Sequence, residues 1–313
     1  MTYLITGCSG FVGQYLVRYL AEHEPGARIV AVNRRPSPAG QMPVAAEHAV
    51  DLLDTAALAA VLQAERPQYI VHLASFSSVA FSWQQPIESF TNNTNIFLSL
   101  LESVRQQAPE ARLLSIGSSE EYGIVETREL PLRESSPLRP VSPYAVARVA
   151  QEHLGDVYVR GYNLDIVNTR SFNHVGAGQS DKFVISSIAK QFAEYSKGRR
   201  THISLGTTSV VRDFLDVRDV VAAYAMLVKR GVKGEVYNIC SGRGISIADV
   251  VELFCIASGS RPPIQIEPSL VRPVENPVVV GTNYKLLSSL GWAPRHSLEE
   301  SLRDIYLYWL AQP

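Results

Sequence analysis

The sequence lacks the features of a disulfide-stapled or metal-binding protein. It has three cysteines, Cys8, Cys240 and Cys255, among 313 residues, and this odd number at wide spacing predicts no disulfide framework. Its seven histidines show no pair at metal-ligand spacing, so we expect no metal site. Disulfide scaffolds and metal-dependent hydrolases are therefore disfavoured.

The sequence also lacks an excess of positive or negative charge, and it lacks long apolar runs. Lys and Arg number 29 against 30 Asp and Glu, a net charge of −1 with no basic block. Nucleic acid and a membrane surface are therefore not expected as main partners. No apolar run is long enough to span a bilayer, and the chain opens on a strand-like run rather than a signal peptide. We therefore expect a cytoplasmic protein.

The sequence does contain an alternation of short β-rich runs with helical patterns. The strand-like runs lie at residues 2–6, 28–32, 48–52, 69–75, 112–116 and 164–170. Such alternation predicts right-handed βαβ units and a parallel sheet. The predicted fold class is α/β, with a doubly wound (Rossmann) parallel sheet in residues 1–170. Residues 171–313, where the alternation breaks down, are predicted as a smaller, mixed C-terminal substrate-binding region whose chain can cross back to the sheet.

A glycine-rich loop joins the first strand-like run to the first helix. Gly7, Gly10 and Gly13 follow the spacing G-x-x-G-x-x-G, which in this context predicts a dinucleotide site. Gly7 would allow the tight turn, and Gly10 would let the backbone approach the pyrophosphate. Gly13 would let the helix pack closely on the strand. Phe11 and Val12 would open a helix whose N–H groups face the phosphates. A glycine-rich turn without a ligand is the alternative.

The end of the second strand-like run bears on the choice of cofactor. An acidic residue there would bind the ribose hydroxyls of NAD, but this chain has Asn33, Arg34 and Arg35. Two arginines suit a 2′-phosphate, so NADP(H) is the predicted cofactor, with Arg34 among its ligands. A solvated arginine loop is the alternative.

A polar cluster follows the run at 112–116. Ser118 and Glu120 would lie at the carboxyl end of a strand, where open α/β sheets bind ligands. A hydroxyl and a carboxylate there suit substrate polarisation and acid/base catalysis. A turn rich in Ser and Glu is the alternative.

A second candidate cluster opens a helix. Ser142 suits the N-cap and Pro143 the first helical position. Tyr144 and Arg148 are then four residues apart on one helix face. A phenol beside a fixed cation is a stronger acid, because the positive charge stabilises the phenolate. Taken alone, the pair favours an ordinary surface helix with a solvated arginine, and the other motifs of the chain reverse that preference.

In order and spacing these segments resemble the extended short-chain dehydrogenase/reductase family that acts on nucleotide sugars, over essentially the whole chain. The matching stretches are residues 6–13, 51–52, 72–75, 118–123, 144–148, 170–179, 212–219 and 291–292. Within the family, residues 172–179 and 237–242 are most similar to GDP-6-deoxy-4-keto-D-mannose reductases, which form GDP-D-rhamnose. GDP-mannose 4,6-dehydratases are close relatives with longer chains.

The resemblance implies roles for individual residues. Tyr144 would exchange a proton with the sugar oxygen, and Ser118 would hydrogen-bond the same atom. The cofactor would also contact Tyr144, Arg148 and four further residues at the edge of the sheet. These four are Asp51 and Leu52 beside the adenine, with Leu73 and Ala74 after the fourth strand. Positions that match substrate ligands are Ser78, Asn173, Lys190, Arg212, Arg272 and Glu275.

One position departs from the family pattern. The family has lysine four residues after the tyrosine, and this chain has Arg148. Arginine keeps the positive charge and can hydrogen-bond the nicotinamide ribose. It is bulkier, however, and it cannot give up a proton at ordinary pH. A proton relay through this position is therefore put in question.

The expected reaction is reduction, by NADPH, of C4 in a 4-keto-6-deoxy nucleotide sugar, namely GDP-4-dehydro-6-deoxy-D-mannose to GDP-D-rhamnose. Glu120 keeps open a 4,6-dehydratase or epimerase that recycles bound NADP. Arg148 keeps open a non-catalytic nucleotide-binding regulator. By the same resemblance, the long helices predicted at 86–106 and 143–160 imply a homodimer formed through a four-helix bundle.

Overall fold

The computed structural model describes residues 1–37, 42–270 and 276–313. The strands are β1 (Thr2–Thr6), β2 (Arg28–Asn33), β3 (Ala46–Ala49), β4 (Tyr69–His72), β5 (Arg112–Ser118), β6 (Asp165–Ser171), β7 (Asn173–Val175), β8 (Ile203–Leu205), β9 (Val211–Asp216), β10 (Val236–Ile239), β11 (Gly244–Ser246), β12 (Ile264–Ile266) and β13 (Val278–Val279). The helices are α1 (Phe11–His23), α2 (Thr55–Glu65), α3 (Val79–Gln84), α4 (Pro86–Gln107), α5 (Pro143–Tyr162), α6 (Val184–Ser196), α7 (Val217–Arg230), α8 (Ile247–Ser258), α9 (Tyr284–Leu290) and α10 (Leu298–Ala311).

The main sheet has seven strands in the order β10-β6-β5-β4-β1-β2-β3, and every neighbouring pair is parallel. Helices α1 and α7 bury their apolar sides on one face, and α2, α4 and α5 cover the other. The inner strands read as continuous apolar runs because both of their faces are covered. The predicted α/β, doubly wound fold is confirmed.

The strand order reverses between β1 and β4, since the chain runs outward from β1 through β2 and β3 and then returns to the other side of β1. In open α/β sheets such a switch point leaves a crevice at the carboxyl ends of the strands, and ligands bind there. The glycine loop after β1 and the small residues after β4 border this crevice.

The third strand lies earlier than predicted. It spans Ala46–Ala49 rather than 48–52, and its residues alternate between partly buried and exposed. This edge strand has no continuous apolar run to mark its ends. Asp51 lies in the turn that follows, where its side chain accepts the N–H of Leu53 at 3.0 Å. A carboxylate that bonds the backbone two residues on favours a turn over a strand.

The chain after residue 170 contributes to both parts of the molecule. Strand β10 belongs to the main sheet, where it pairs with β6, and helix α7 packs on one face of that sheet. The smaller part contains the β11-β9-β13 sheet, with β7 beside β9, and the β8–β12 pair. Helices α6, α8 and α10 pack there around Phe192, Phe254 and Ile305. None of the described helices is long and apolar enough to cross a membrane.

Candidate active site

The glycine loop leaves no room for side chains at its first and third glycines. Gly7 has φ +75°, and a Cβ built on it would lie 2.9 Å from the backbone nitrogen of Ala74. A Cβ on Gly13 would lie 2.5 Å from the carbonyl oxygen of Gly7 and 2.6 Å from that of Cys8. Both positions therefore require glycine, because the backbone segments after β1, after β4 and at the start of α1 lie too close together for a side chain.

The N-terminus of α1 fits a phosphate group. Gly10 is its N-cap and has no side chain to accept the N–H groups of the first turn, which begins at Phe11 and Val12. By contrast, α5 is capped by Ser142, whose hydroxyl accepts the N–H of Ala145 at 3.1 Å. Helix N-terminal N–H groups without such a cap bind anions well, because their dipoles add. The observed loop therefore has the shape and the donors that a pyrophosphate needs.

Asn33 is a buried residue that sequence reasoning did not assign to this site. Its side-chain oxygen accepts the N–H of Ser9 at 3.1 Å, and its amide nitrogen donates to Glu47 at 2.8 Å. The glycine loop is thus tied to the carboxyl end of β2. A polar residue at the end of a buried strand was the one hint in the sequence that Asn33 has a role. The role itself could not be predicted, because the partner of Asn33 lies 24 residues earlier in the chain.

The other predicted cofactor residues lie along the same carboxyl edge of the sheet. Arg34 is exposed and follows β2 directly, and Asp51 is exposed in the turn after β3. Leu52 is buried there, while Leu73 and Ala74 follow β4 and are partly buried. Because parallel strands end at one edge, these residues flank the glycine loop.

The structure brings the tyrosine and the arginine of α5 together. Tyr144 and Arg148 are 6% and 5% exposed. Nε of Arg148 donates to the Tyr144 hydroxyl at 3.2 Å, and the guanidinium carbon lies 5.2 Å from the centre of the ring. A cation held on a phenol oxygen can stabilise that oxygen as it loses its proton.

The remaining contacts of Arg148 attach α5 to the sheet. Nη1 donates to the carbonyl of Ile116 at 2.9 Å and to the side chain of Gln151 at 2.6 Å. Nη2 donates to the hydroxyl of Ser75, just beyond β4. The arginine therefore connects the carboxyl ends of β4 and β5 to the helix that carries Tyr144.

Ser118 ends β5, two residues beyond the carbonyl that Arg148 binds. Its hydroxyl oxygen accepts the N–H of Glu120 at 3.2 Å and so begins a short 3₁₀ turn, Ser119–Tyr122. The hydroxyl hydrogen remains a donor. Glu120 is partly buried in that turn. The two predicted acid/base residues thus lie at the carboxyl end of β5, where the turn packs against the helix of the tyrosine.

A buried charge network supports this turn and was not predicted. Glu121 is fully buried, and it accepts the backbone N–H of Ser118 at 2.7 Å. Arg170 binds Glu152 through two hydrogen bonds, of 2.9 and 2.6 Å, and its Nε lies 3.8 Å from Glu121. Burial, with the nearby charge of Glu152, raises the pKa of Glu121 well above its usual range. Burial thus disfavours the charged form of Glu121, and its carboxyl oxygen positions Ser118 through the backbone N–H.

Residues 174–177, in β7 and directly after it, join the smaller part of the molecule to the glycine loop and α1. The imidazole of His174 stacks on Phe11, with ring centres 6.3 Å apart. The hydroxyl of Tyr15 donates to the carbonyl of Ala177 at 2.8 Å. The residues that directly follow Asn173, a predicted substrate residue, therefore lie against the helix that begins at the predicted cofactor loop.

The predicted substrate residues lie on several elements. Ser78 caps α3 by accepting the N–H of Phe81 at 3.1 Å, and Asn173 is exposed at the start of β7. Arg272 and Glu275 lie outside the described residues, so the structure gives no position for them.

Lys190 and Arg212 both have protein partners. The ammonium of Lys190 donates to Asp181 at 2.7 Å, and this hydrogen bond raises the pKa of the lysine. Arg212 is partly buried on β9 and donates to the carbonyl of Asn276 at 2.8 Å. A substrate phosphate at Lys190 would have to compete with Asp181.

The chain is similar to known nucleotide-sugar enzymes over nearly its whole length. A GDP-6-deoxy-D-mannose reductase of Pseudomonas aeruginosa is 34% identical over 307 residues, 97% of this chain and 96% of the relative. A GDP-6-deoxy-D-talose 4-dehydrogenase of Aggregatibacter actinomycetemcomitans is 30% identical over 93% of this chain and 92% of its own. The structure of RMD from Pseudomonas aeruginosa complexed with NADPH has a TM-score of 0.89 at 32% identity and covers 99% of both chains.

The family model that describes GDP-mannose 4,6-dehydratase matches residues 4–305. It therefore covers both the main sheet and the smaller C-terminal part. The predicted class of enzyme, an NAD(P)-dependent oxidoreductase acting on nucleotide sugars, is confirmed. The chain belongs to the GDP-mannose 4,6-dehydratase family of extended short-chain dehydrogenases/reductases.

Proposed function

We propose that this protein reduces the C4 keto group of a GDP-linked 4-keto-6-deoxy sugar with hydride supplied by NADPH, forming GDP-D-rhamnose from GDP-4-dehydro-6-deoxy-D-mannose. The observation that carries the proposal is the buried Tyr144–Arg148 pair, joined through Ile116 to the strand that ends at Ser118. The resemblance to a GDP-6-deoxy-D-mannose reductase over nearly the whole chain supports the substrate class.

The residues of the chain supply the proton and the electrostatic environment. Tyr144 gives its hydroxyl proton to the oxygen of the reduced carbonyl, and the tyrosinate that remains is stabilised by Nε of Arg148. The hydroxyl of Ser118 donates a hydrogen bond to the same sugar oxygen, which strengthens as negative charge develops there. The glycine loop, with Gly10 and the first turn of α1, holds the pyrophosphate.

The test is the stoichiometry of the reaction. The purified protein is incubated with GDP-4-dehydro-6-deoxy-D-mannose and a limiting amount of NADPH, and absorbance and product are followed together. One NADPH consumed for each 6-deoxy sugar formed is the expected result. NMR of the product identifies GDP-D-rhamnose or its C4 epimer. Turnover that needs only catalytic amounts of cofactor would contradict the reductase.

An internal redox reaction is the second candidate. Glu120 is placed in the turn begun by Ser118, where a carboxylate could abstract the proton next to a keto group, as a 4,6-dehydratase requires. GDP-mannose is the substrate that separates the candidates. Its conversion to the 4-keto-6-deoxy sugar without net NADPH use would favour the dehydratase.

Arg34 and Arg35 are expected to set the preference for NADPH over NADH. Both are exposed directly after β2, and each guanidinium matches a 2′-phosphate. Changing both to serine should raise the KM for NADPH by about 10- to 100-fold and leave that for NADH nearly unchanged, because only NADPH carries the phosphate. Arg66→Ser, after α2, is the control. Equal effects on both cofactors would contradict this assignment.

We further propose that α4 and α5 pair with those of a second copy as a four-helix bundle. Both helices expose apolar side chains on their outer faces. These are Ile87, Phe90 and Leu98 on α4, with Val146 and Val157 on α5. Exposed apolar side chains on two helices that pack side by side favour association.

Ile87→Glu combined with Val157→Glu is expected to give a monomer by light scattering, because two charges would then be buried in the interface. Ile256→Glu is the matched control, since that isoleucine is 73% exposed on α8, away from both helices. A wild-type monomer would contradict the dimer.

A further inference from the structure

The guanidinium of Arg148 is held by several acceptors at once. An arginine side chain has five N–H groups. Four donate in the described contacts: one to Tyr144, one to Ile116, one to Gln151 and one to Ser75. The fifth, on Nη2, remains to bind a ligand such as a ribose hydroxyl. The orientation of the guanidinium is therefore set by residues on three different elements.

All four of these acceptors are uncharged oxygens. A buried positive charge is usually held by a carboxylate, because desolvation is costly. Here neutral acceptors satisfy the N–H groups, but they carry no negative charge to balance the positive charge of Arg148. The charge therefore acts on negative charge that forms nearby, and the hydroxyl of Tyr144 at 3.2 Å is in direct contact.

Gln151 is itself fixed in one orientation. It is 2% exposed and lies one turn after Arg148 on α5. Its amide nitrogen donates to the hydroxyl of Ser115 at 2.9 Å and to the carbonyl of Ile116 at 3.1 Å. Its amide oxygen must then face Arg148, where it accepts at 2.6 Å. No other assignment of the amide makes all three bonds.

Lysine could not make the same set of contacts. Its three N–H groups radiate from a single nitrogen, whereas the guanidinium distributes its donors over three nitrogens in a plane. A lysine that reached Tyr144 would leave the oxygen of Gln151 or the hydroxyl of Ser75 without its donor. A buried polar atom left without a hydrogen bond destabilises the folded protein.

We propose that Gln151 is a positioning residue for Arg148 and that, with Ser75, it makes position 148 specific for arginine. Arginine here is part of a built site rather than a loss of the family's lysine. Gln151 orients the guanidinium so that Nε meets the phenol and one N–H of Nη2 is left for the cofactor. The catalytic part of this inference rests on the proposed reductase function, and the structural part does not.

A double-mutant cycle tests the inference with Arg148→Lys, Gln151→Met and the double variant. Gln151→Met is expected to lower kcat about tenfold with little change in the KM for the sugar, because it disturbs the stabilisation of the tyrosinate. Arg148→Lys should lower kcat at least as much. The kcat of the double variant should be no lower than that of Arg148→Lys alone, because both changes break the same contact between Gln151 and the guanidinium. Additive losses, or a lysine enzyme as active as wild type, would overturn the proposal.

Gln191→Met is the matched control. Gln191 is a buried glutamine on α6 that accepts from Arg200 and bonds the backbone of Ser204. The effect of Gln191→Met on kcat should add to that of Arg148→Lys, because the described contacts of the two positions share no partner. Thermal melting of each variant separates lost folding from lost positioning. If Arg148→Lys does not fold, Ser75→Ala replaces it and should show the same non-additivity with Gln151→Met.

The same cycle is run on the Kd for NADPH, measured by fluorescence without any sugar. Each single variant is expected to weaken binding about three- to tenfold, again without additivity. A wild-type protein that binds NADPH but reduces no GDP-sugar would disprove the proposed function alone. Additive changes in Kd would disprove the positioning role, whatever the reaction is.

Discussion

Tyr144→Phe is expected to lower kcat by about 10²- to 10⁴-fold, the contribution of general acid catalysis. The substitution removes one oxygen from a residue that is 6% exposed, so the ring can remain in place. Arg148 would lose one of its four acceptors and keep those of Ile116, Gln151 and Ser75. The Kd for NADPH should therefore change by no more than about threefold.

Steady-state kinetics and a fluorescence titration of NADPH measure the two effects separately. Tyr162→Phe is the control, because it removes the same atom from an exposed tyrosine at the other end of α5. Its kcat should match that of the wild type. A Tyr144→Phe enzyme with full activity would remove this tyrosine from the mechanism.

Gly13→Ala should impair both folding and cofactor binding. The new Cβ would lie within 2.6 Å of the carbonyl oxygens of Gly7 and Cys8, and neither is at the end of a flexible side chain. Backbone must therefore move, at a cost of about 1–3 kcal/mol in the free energy of unfolding. Since the moved atoms form the pyrophosphate loop, the Kd for NADPH should rise about 10- to 100-fold.

Gly161→Ala is the control for this variant. A Cβ at Gly161 would meet no atom within 4 Å, and the residue is in the last turn of α5. Alanine is favoured over glycine in helices by up to about 1 kcal/mol, so the control should be as stable as the wild type or slightly more so. Urea unfolding and NADPH titration of both variants are the measurements. Wild-type stability and affinity in Gly13→Ala would show that the loop tolerates a side chain.

The features that could be predicted from the sequence are those with a local cause. The strands of the main sheet are recognisable because burial on both faces requires unbroken apolar runs. Strand β3 was placed too late, because an edge strand with alternating exposure has no such run. The glycine loop was recognisable because its spacing follows from backbone approach within a short segment.

Residues whose role depends on distant partners could not be predicted. Gln151 bonds Ser115, 36 residues earlier, and Asn33 bonds Ser9, 24 residues earlier. Glu121 directly follows the predicted Glu120, but its importance depends on Glu152 and Arg170, which belong to other elements. Polar side chains of these types are mostly solvated, so nothing in the local pattern distinguishes them.

The sequence by itself determined the α/β fold, the glycine loop and a tyrosine four residues before a cation on one helix. These follow from periodicity and spacing, which act between near neighbours in the chain. Only the tertiary structure decided what the cation does. Packing of α5 on the ends of β4 and β5 surrounds Arg148 with neutral acceptors. A buried charge in such surroundings acts on a group in contact with it that can become an anion, the hydroxyl of Tyr144.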